Sequence, residues 1–161
     1  MTVTSRSKDL EALTLTFRSE FDAPIERVWL LWADPRQLER WWGPPTWPAT
    51  VMEYDFREGG RAHYLMTGPD GEQARGLWNI LRVVEPEFFE FEDAFATPEG
   101  EMDPSLGTTR AEVRLESLGE RTSMTIVSHF ESVEQLEQLT EMGMEEGMRL
   151  ALEQIDDILA S

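Results

Sequence analysis

Histidine is the usual side chain for moving a proton near neutral pH, and this chain has two, His63 and His129. Strand alternation sets His129 on the face opposite Met124, Ile126 and Phe130, and His63 against the parity of Ala62, Tyr64 and Met66. Both read as surface or internally satisfied histidines, with His63 kept as a catalytic candidate. Neither stands at metal-ligand spacing from a second ligand, so no zinc site is expected. Asp93 is the more unusual acid. In Phe89-Glu90-Phe91-Glu92-Asp93-Ala94-Phe95 it shares parity with three phenylalanines, and a carboxylate on an apolar face needs a partner or a raised pKa. Arg75, Arg110 or Arg114 could supply that partner; alternatively a bulge or strand end carries Asp93 out to solvent. With no cysteine there is no thiolate nucleophile, thiolate metal site or disulfide. Gly59-Gly60 lacks the rest of a phosphate loop and no G-x-S-x-G elbow is present, so no cofactor is expected.

Binding is the other chemistry on offer. Five of the six tryptophans, Trp29, Trp32, Trp41, Trp42 and Trp47, lie close together in the sequence, and their rings either cap a cavity mouth or fill a core. Trp41 and Trp42 are adjacent, so one of them is expected to contact solvent, a ligand or a partner. Gly143 and Gly147 stand four apart in a helical pattern, each costing ~1 kcal/mol relative to alanine in a helix interior. Either a strand backbone approaches there, or missing side chains leave volume for a ligand. Met144 and Met148 beside them suit irregular contents.

The element that must carry these residues runs from Val133 to Leu159. Leu136, Met144, Met148, Ala151, Ile155 and Ile158 follow a helical period, and Ser132 with Gln135 forms a capping-box start. One continuous helix over that range would be about 40 Å long at ~1.5 Å per residue, and its apolar stripe needs strands to cover it. Residues 1–10 read as a flexible tail, and residues 11–161 as one domain. Leu13, Leu15 and Phe17 begin a strand with one buried face. Pro24 and then Asp34-Pro35 start two short helices carrying Trp29, Trp32, Leu38, Trp41 and Trp42. Six further strands are expected near 49–55, 61–67, 73–84, 88–94, 108–116 and 123–130, with 98–107 a mobile exposed loop. The order gives an α+β helix-grip fold: a seven-stranded antiparallel sheet curved around a long C-terminal helix, with two short helices plugging one end.

The formal net charge of −18 repels phosphate backbones and anionic lipid, so neither nucleic acid nor a membrane is an expected partner. No run of ~18 apolar residues is present. The polar start of the chain lacks the apolar region of a signal peptide, and the expected location is the cytoplasm.

Specific stretches carry a family likeness. Ala23 to Trp29, Asp34 to Pro44, Asp55 to Gly60, Gly76 through Val83-Val84-Glu85-Pro86, Thr122 to Thr125 and Gly143 to Leu159 together resemble the START-like helix-grip superfamily. This superfamily is also called SRPBCC and has the fold of the Bet v allergens. More narrowly, the chain is similar to the branch of activator of heat-shock protein 90 ATPase homologue-like proteins. The resemblance spans about Leu13 to Leu159 and implies binding of a small apolar or aromatic ligand in a cavity between sheet and terminal helix. Trp29, Trp78, Phe91, Met124, Met144, Gly147, Met148 and Ala151 are the expected liners. A second reading is a polyketide cyclase- or hydrolase-like enzyme using Asp93, His63 or an arginine. A third is a co-chaperone-type interaction domain with a chaperone partner, engaged through exposed tryptophans and the acidic surface. A homodimer is compatible with the sequence but has no signature in it.

Overall fold

The computed structural model describes residues 3–160. Strands β1 (Val3–Asp9) and β2 (Thr14–Phe21) are followed by helices α1 (Ile25–Ala33) and α2 (Pro35–Leu38). Next come β3 (Ala49–Tyr54), β4 (Arg61–Thr67), β5 (Gln73–Val84), β6 (Phe88–Ala96), β7 (Met102–Ser117) and β8 (Thr122–His129). The chain closes with α3 (Val133–Glu141), α4 (Met144–Glu153) and α5 (Ile155–Ala160). All strands join one sheet in the order β1-β2-β8-β7-β6-β5-β4-β3, and every neighbouring pair is antiparallel. This is the expected helix-grip arrangement, an α+β fold with eight strands where seven were read.

The additional strand corrects the reading of a flexible tail. Val3–Asp9 pairs along β2, and Met1 and Thr2 lie outside the described residues. Its sequence carries no buried alternation because it is an edge strand, held by backbone pairing and by charge. Arg6 and Lys8 each place a nitrogen 3.0 Å from a carboxylate oxygen of Glu145 on α4.

The terminal helix is likewise not one rod. It breaks at Met142-Gly143, where Gly143 takes φ +91°, and again at Gln154. A positive φ ends an α-helix, and glycine reaches it without the Cβ clash that other residues suffer. Gln154 then donates its side-chain N–H to the carbonyls of Gly43 (2.8 Å) and Trp41 (3.2 Å). Helix α4 is therefore tied at its start to β1 and at its end to the loop after α2. The start of α3 matches its signal: Ser132 accepts from the Gln135 backbone N–H at 3.1 Å, while the Gln135 side chain accepts from Glu131 N–H at 2.7 Å.

The segment 98–107 is also more regular than expected. A tight turn at Gly100 lets β7 begin at Met102, pair with the end of β6, bulge over residues 104–107 and rejoin the ladder at Thr108. The two prolines and two glycines that mark a loop are absorbed by a turn and a bulge, where lost ladder bonds cost little.

The core is aromatic. Strand alternation turns Phe17, Phe21, Phe89, Phe91 and Met124 inward, and α1 brings Trp29 and Trp32 down on them. The Trp32 ring meets Trp41 edge-on at 4.7 Å and Phe89 at 4.9 Å, and lies within 6.4 Å of Trp42, Trp78 and Phe91. Its N–H points at the Met124 sulfur (3.3 Å), and its backbone carbonyl accepts from the Tyr54 hydroxyl. Since both faces of this ring are in contact, Trp32→Ala is expected to cost about 3–5 kcal/mol in urea unfolding. A loss below about 1 kcal/mol would contradict this packing.

Candidate functional site

The inner face of the sheet is not covered evenly. It is closed where β5 reaches Trp78 and β6 begins: Trp29 and Trp32 of α1 pack there on Phe89, Phe91 and Trp78, with Met124 of β8 against Trp32. Over the end of β4, the start of β5 and the end of β6 the helices stand back, leaving a cavity of about 460 Å³. Tyr64, Met66, Ala74, Asp93, Ala94, Phe95 and Thr109 line it from the sheet, and Gly107 from the β7 bulge. Leu139, Met142, Gly143, Met144, Gly147, Met148 and Ala151 line it from the helices, with Gln135 at the start of α3. Trp42, Gly43, Pro44 and Trp47 close the end after α2.

Helical spacing explains the helix wall, because positions 144, 147, 148 and 151 share one face. A Cβ built on Gly147 would meet no atom within 4 Å, so no strand backbone presses there. Of the two reasons for glycine at this position, open volume is the one realised.

The sheet wall depends on Gly76. It pairs with Tyr64 across β4 and β5, and a Cβ on it would fall 2.1 Å from the Tyr64 ring. The missing side chain lets Tyr64 lean across β5 towards β6, where its hydroxyl donates to Asp93 Oδ1 at 3.5 Å. Asp93, paired with Trp78 on one side and Thr109 on the other, points inward as its parity with Phe91 and Phe95 requires. Enclosure by protein pushes its carboxyl up to about 7; the Tyr64 hydroxyl and the Ala94 backbone N–H pull in the opposite direction without prevailing. Burial and the neighbouring Asp93 hold the Tyr64 hydroxyl well above the usual phenol range.

None of the three arginines considered as partners reaches Asp93. Arg110 pairs with Glu90 and with Glu112, and Arg114 lies over the Phe88 ring at 4.8 Å. Arg75 contributes to the cavity wall, but its parity is opposite to Ala74 and Gly76, and its guanidinium points 3.8 Å from the Met52 sulfur on the other side of the sheet.

The expected liners divide. Met144, Gly147, Met148 and Ala151 border the cavity, whereas Trp29, Trp78, Phe91 and Met124 do not. Trp78 stacks on Phe91 at 4.1 Å, Trp29 packs edge-on against Phe56 and Phe89, and Met124 receives the Trp32 N–H. These four face inward, but further along the sheet, where helices fill the space. His63 is on the outer face, beside Glu53, Arg61 and Arg75; burial and the two arginines lower its pKa. It shares no space with Asp93. His129 is also outside, with Nε2 2.7 Å from Glu112.

Trp41 and Trp42 are both buried, so neither meets solvent, and of the contacts expected for one of them only a ligand's remains open, through Trp42 at the cavity. They sit in a turn rather than on a strand, so their rings diverge at 85° instead of alternating. Trp41 donates to the Leu31 carbonyl at 2.9 Å, while Trp42 reaches the cavity. Trp42, Tyr64 and Leu139 were not read as liners; only Tyr64 carried a usable signal, its inward parity with Ala62 and Met66. Among the described residues no cluster of His, Cys, Asp and Glu could hold a metal, and no helix is long and apolar enough to cross a membrane.

Because the folded state raises the Asp93 pKa, it favours the protonated acid. That contribution is complete below about pH 4 and is lost as pH rises through about 7. Asp93→Asn should therefore gain stability relative to the parent between those limits, by up to about 4 kcal/mol at high pH. Urea unfolding across the pH range checks this; a difference independent of pH would contradict it.

Comparison with known proteins agrees with the architecture. A solution NMR structure of a protein from Arthrobacter aurescens is 56% identical over 99% of this chain and 92% of its own, with a TM-score of 0.95. The crystal structure of Ms6760 from Mycobacterium smegmatis is 44% identical, covers 98% of this chain and 96% of that one, and has a TM-score of 0.91. A protein from Staphylococcus epidermidis, also solved by NMR, is 28% identical over 99% and 94% of the two chains, with a TM-score of 0.81. No curated protein matches the chain. Residues 22–160 match the family described as Activator of Hsp90 ATPase homolog 1-like protein, and the chain belongs to that family.

Proposed function

We propose that this protein is a binding module for a small, mainly apolar or aromatic molecule, held between β4–β6 and the C-terminal helices. The observation that carries the reading is the open space at Gly147. Helix α4 lacks a side chain there, where a packed core would place one, and a Cβ added at that position would meet no atom within 4 Å. A volume of about 460 Å³ lies within the usual range for small-molecule sites of roughly 300–1,000 Å³. Methionines on the helix wall can adjust to a ligand's shape at low cost. The co-chaperone reading has less support, because it calls on exposed tryptophans and Trp29, Trp32, Trp41, Trp42 and Trp78 are buried.

N-phenyl-1-naphthylamine, a neutral apolar fluorophore, tests the reading. The parent protein should bind it saturably with one site. Gly147→Trp should abolish that binding while leaving thermal unfolding cooperative, since the new ring occupies existing space. Equal uptake by parent and variant, or no uptake by the parent, would overturn the reading. Gly147→Ala should stabilise α4 by about 1 kcal/mol, because alanine removes the helix cost of glycine and meets no atom. Chemical denaturation measures this, and destabilisation would mean that the backbone does approach there.

A further inference from the structure

Among the described residues Asp93 is the one carboxylate lining the cavity, and no cation of theirs pairs with it. The titratable groups that border the space are Asp93, Tyr64 and Arg75, and the Arg75 guanidinium is directed to the outer face. From β4 Asp93 is faced by Tyr64, from β5 by Trp78, from β7 by Thr109, and from α4 by the uncharged Gly147 and Met148. Glu131 lies beside the lining residue Gly107 and accepts from the Thr108 backbone N–H, adding a second negative charge nearby. Tyr64 already has company on its oxygen: the buried indole N–H groups of Trp42 and Trp78 approach it without closing to hydrogen-bond geometry. A hydroxyl facing two donors is oriented to give its own proton to Asp93. Besides Tyr64, Asp93 has the Ala94 backbone N–H as a donor, and a carboxylate with about four acceptor sites keeps capacity to accept from an occupant.

A carboxylate held in an apolar cavity without a counter-ion is costly, and the cost disappears when a ligand supplies the cation. Trp42 and Tyr64 also line the cavity, and aromatic rings can receive a positive group on their faces through the ring quadrupole. The net charge of −18 raises the local concentration of cations around the whole molecule.

We infer that the occupant is an apolar amine, with its protonated nitrogen on Asp93 between Tyr64 and Trp42 and its hydrocarbon body along Met144, Gly147 and Met148. This rests on the binding function proposed above and narrows it to one ligand class.

Three probes of similar size separate the chemistries: 4-phenylbutylamine, 4-phenyl-1-butanol and 4-phenylbutyrate, each measured by calorimetry and by displacement of N-phenyl-1-naphthylamine. The amine should bind about tenfold or more tightly than the alcohol, and the carboxylate most weakly. Raising the pH from about 5 to about 8 ionises Asp93 and should strengthen amine binding while the alcohol's affinity stays level or falls. Asp93→Asn should bring the amine down to the alcohol's affinity. The outer-face change Glu53→Gln should leave the amine's advantage intact, which excludes a general effect of net charge. Uptake of the fluorophore and the alcohol without an amine advantage overturns this inference and leaves the binding function standing. Absence of binding by all probes overturns both. An amine advantage that survives Asp93→Asn, or that does not grow with pH, places the cation elsewhere and also overturns it.

Discussion

The aromatic wall around Trp32 is the constraint on which the remainder depends. Its ring is enclosed by Trp41, Phe89, Trp42, Trp78 and Phe91, and its N–H and carbonyl are both bonded. Interiors packed in this way deform little, so one half of the sheet is a rigid block. Trp42 and Trp78 extend from that block towards the cavity and fix the orientation of Tyr64, which in turn meets Asp93. The open half inherits its geometry from the closed half. The helix over it is secured at its ends, by Glu145 to β1 and by Gln154 to the loop after α2, and not by contact at Gly147.

The distribution of charge follows the same division. The outer face of the sheet carries cross-strand networks such as Arg110 with Glu90 and Glu112, and Arg61 with Glu53. Exposed pairs of this kind contribute little to stability, typically about 0–1 kcal/mol. The inner face carries a lone acid whose burial is costly. Natural cores rarely keep such a group without a use for it, and that contrast is why Asp93 stands apart from the many other carboxylates.

Much of this architecture can be read from local pattern. Alternation in Leu15-Thr16-Phe17 and in Phe89-Glu90-Phe91, together with the caps Asp34 and Ser132, mark strands and helix starts because each depends only on neighbouring residues. Val3–Asp9 escapes such a reading since an edge strand held by backbone pairing and surface charge has no hydrophobic period. The break at Gly143 escapes it too: the apolar stripe continues in register through the kink, and only the backbone torsion reports it. For the site, parity told which residues face inward, so Asp93, Met144 and Met148 were visible. It could not tell how far along the sheet the covering helices end. Trp78 and Phe91 therefore share parity with the liners Ala74 and Asp93 while lying in the packed part, where Trp29 and Met124 are also buried.

The eight methionines offer the most direct test of a cavity between sheet and helix. In a methyl-labelled sample titrated with N-phenyl-1-naphthylamine, the signals of Met66, Met142, Met144 and Met148, which border the space, should shift together and saturate. Those of Met124 in the packed core and of Met52 and Met102 on the exterior should stay in place. Shifts confined to Met52 and Met102, or a spectrum unchanged by the probe, would contradict the account.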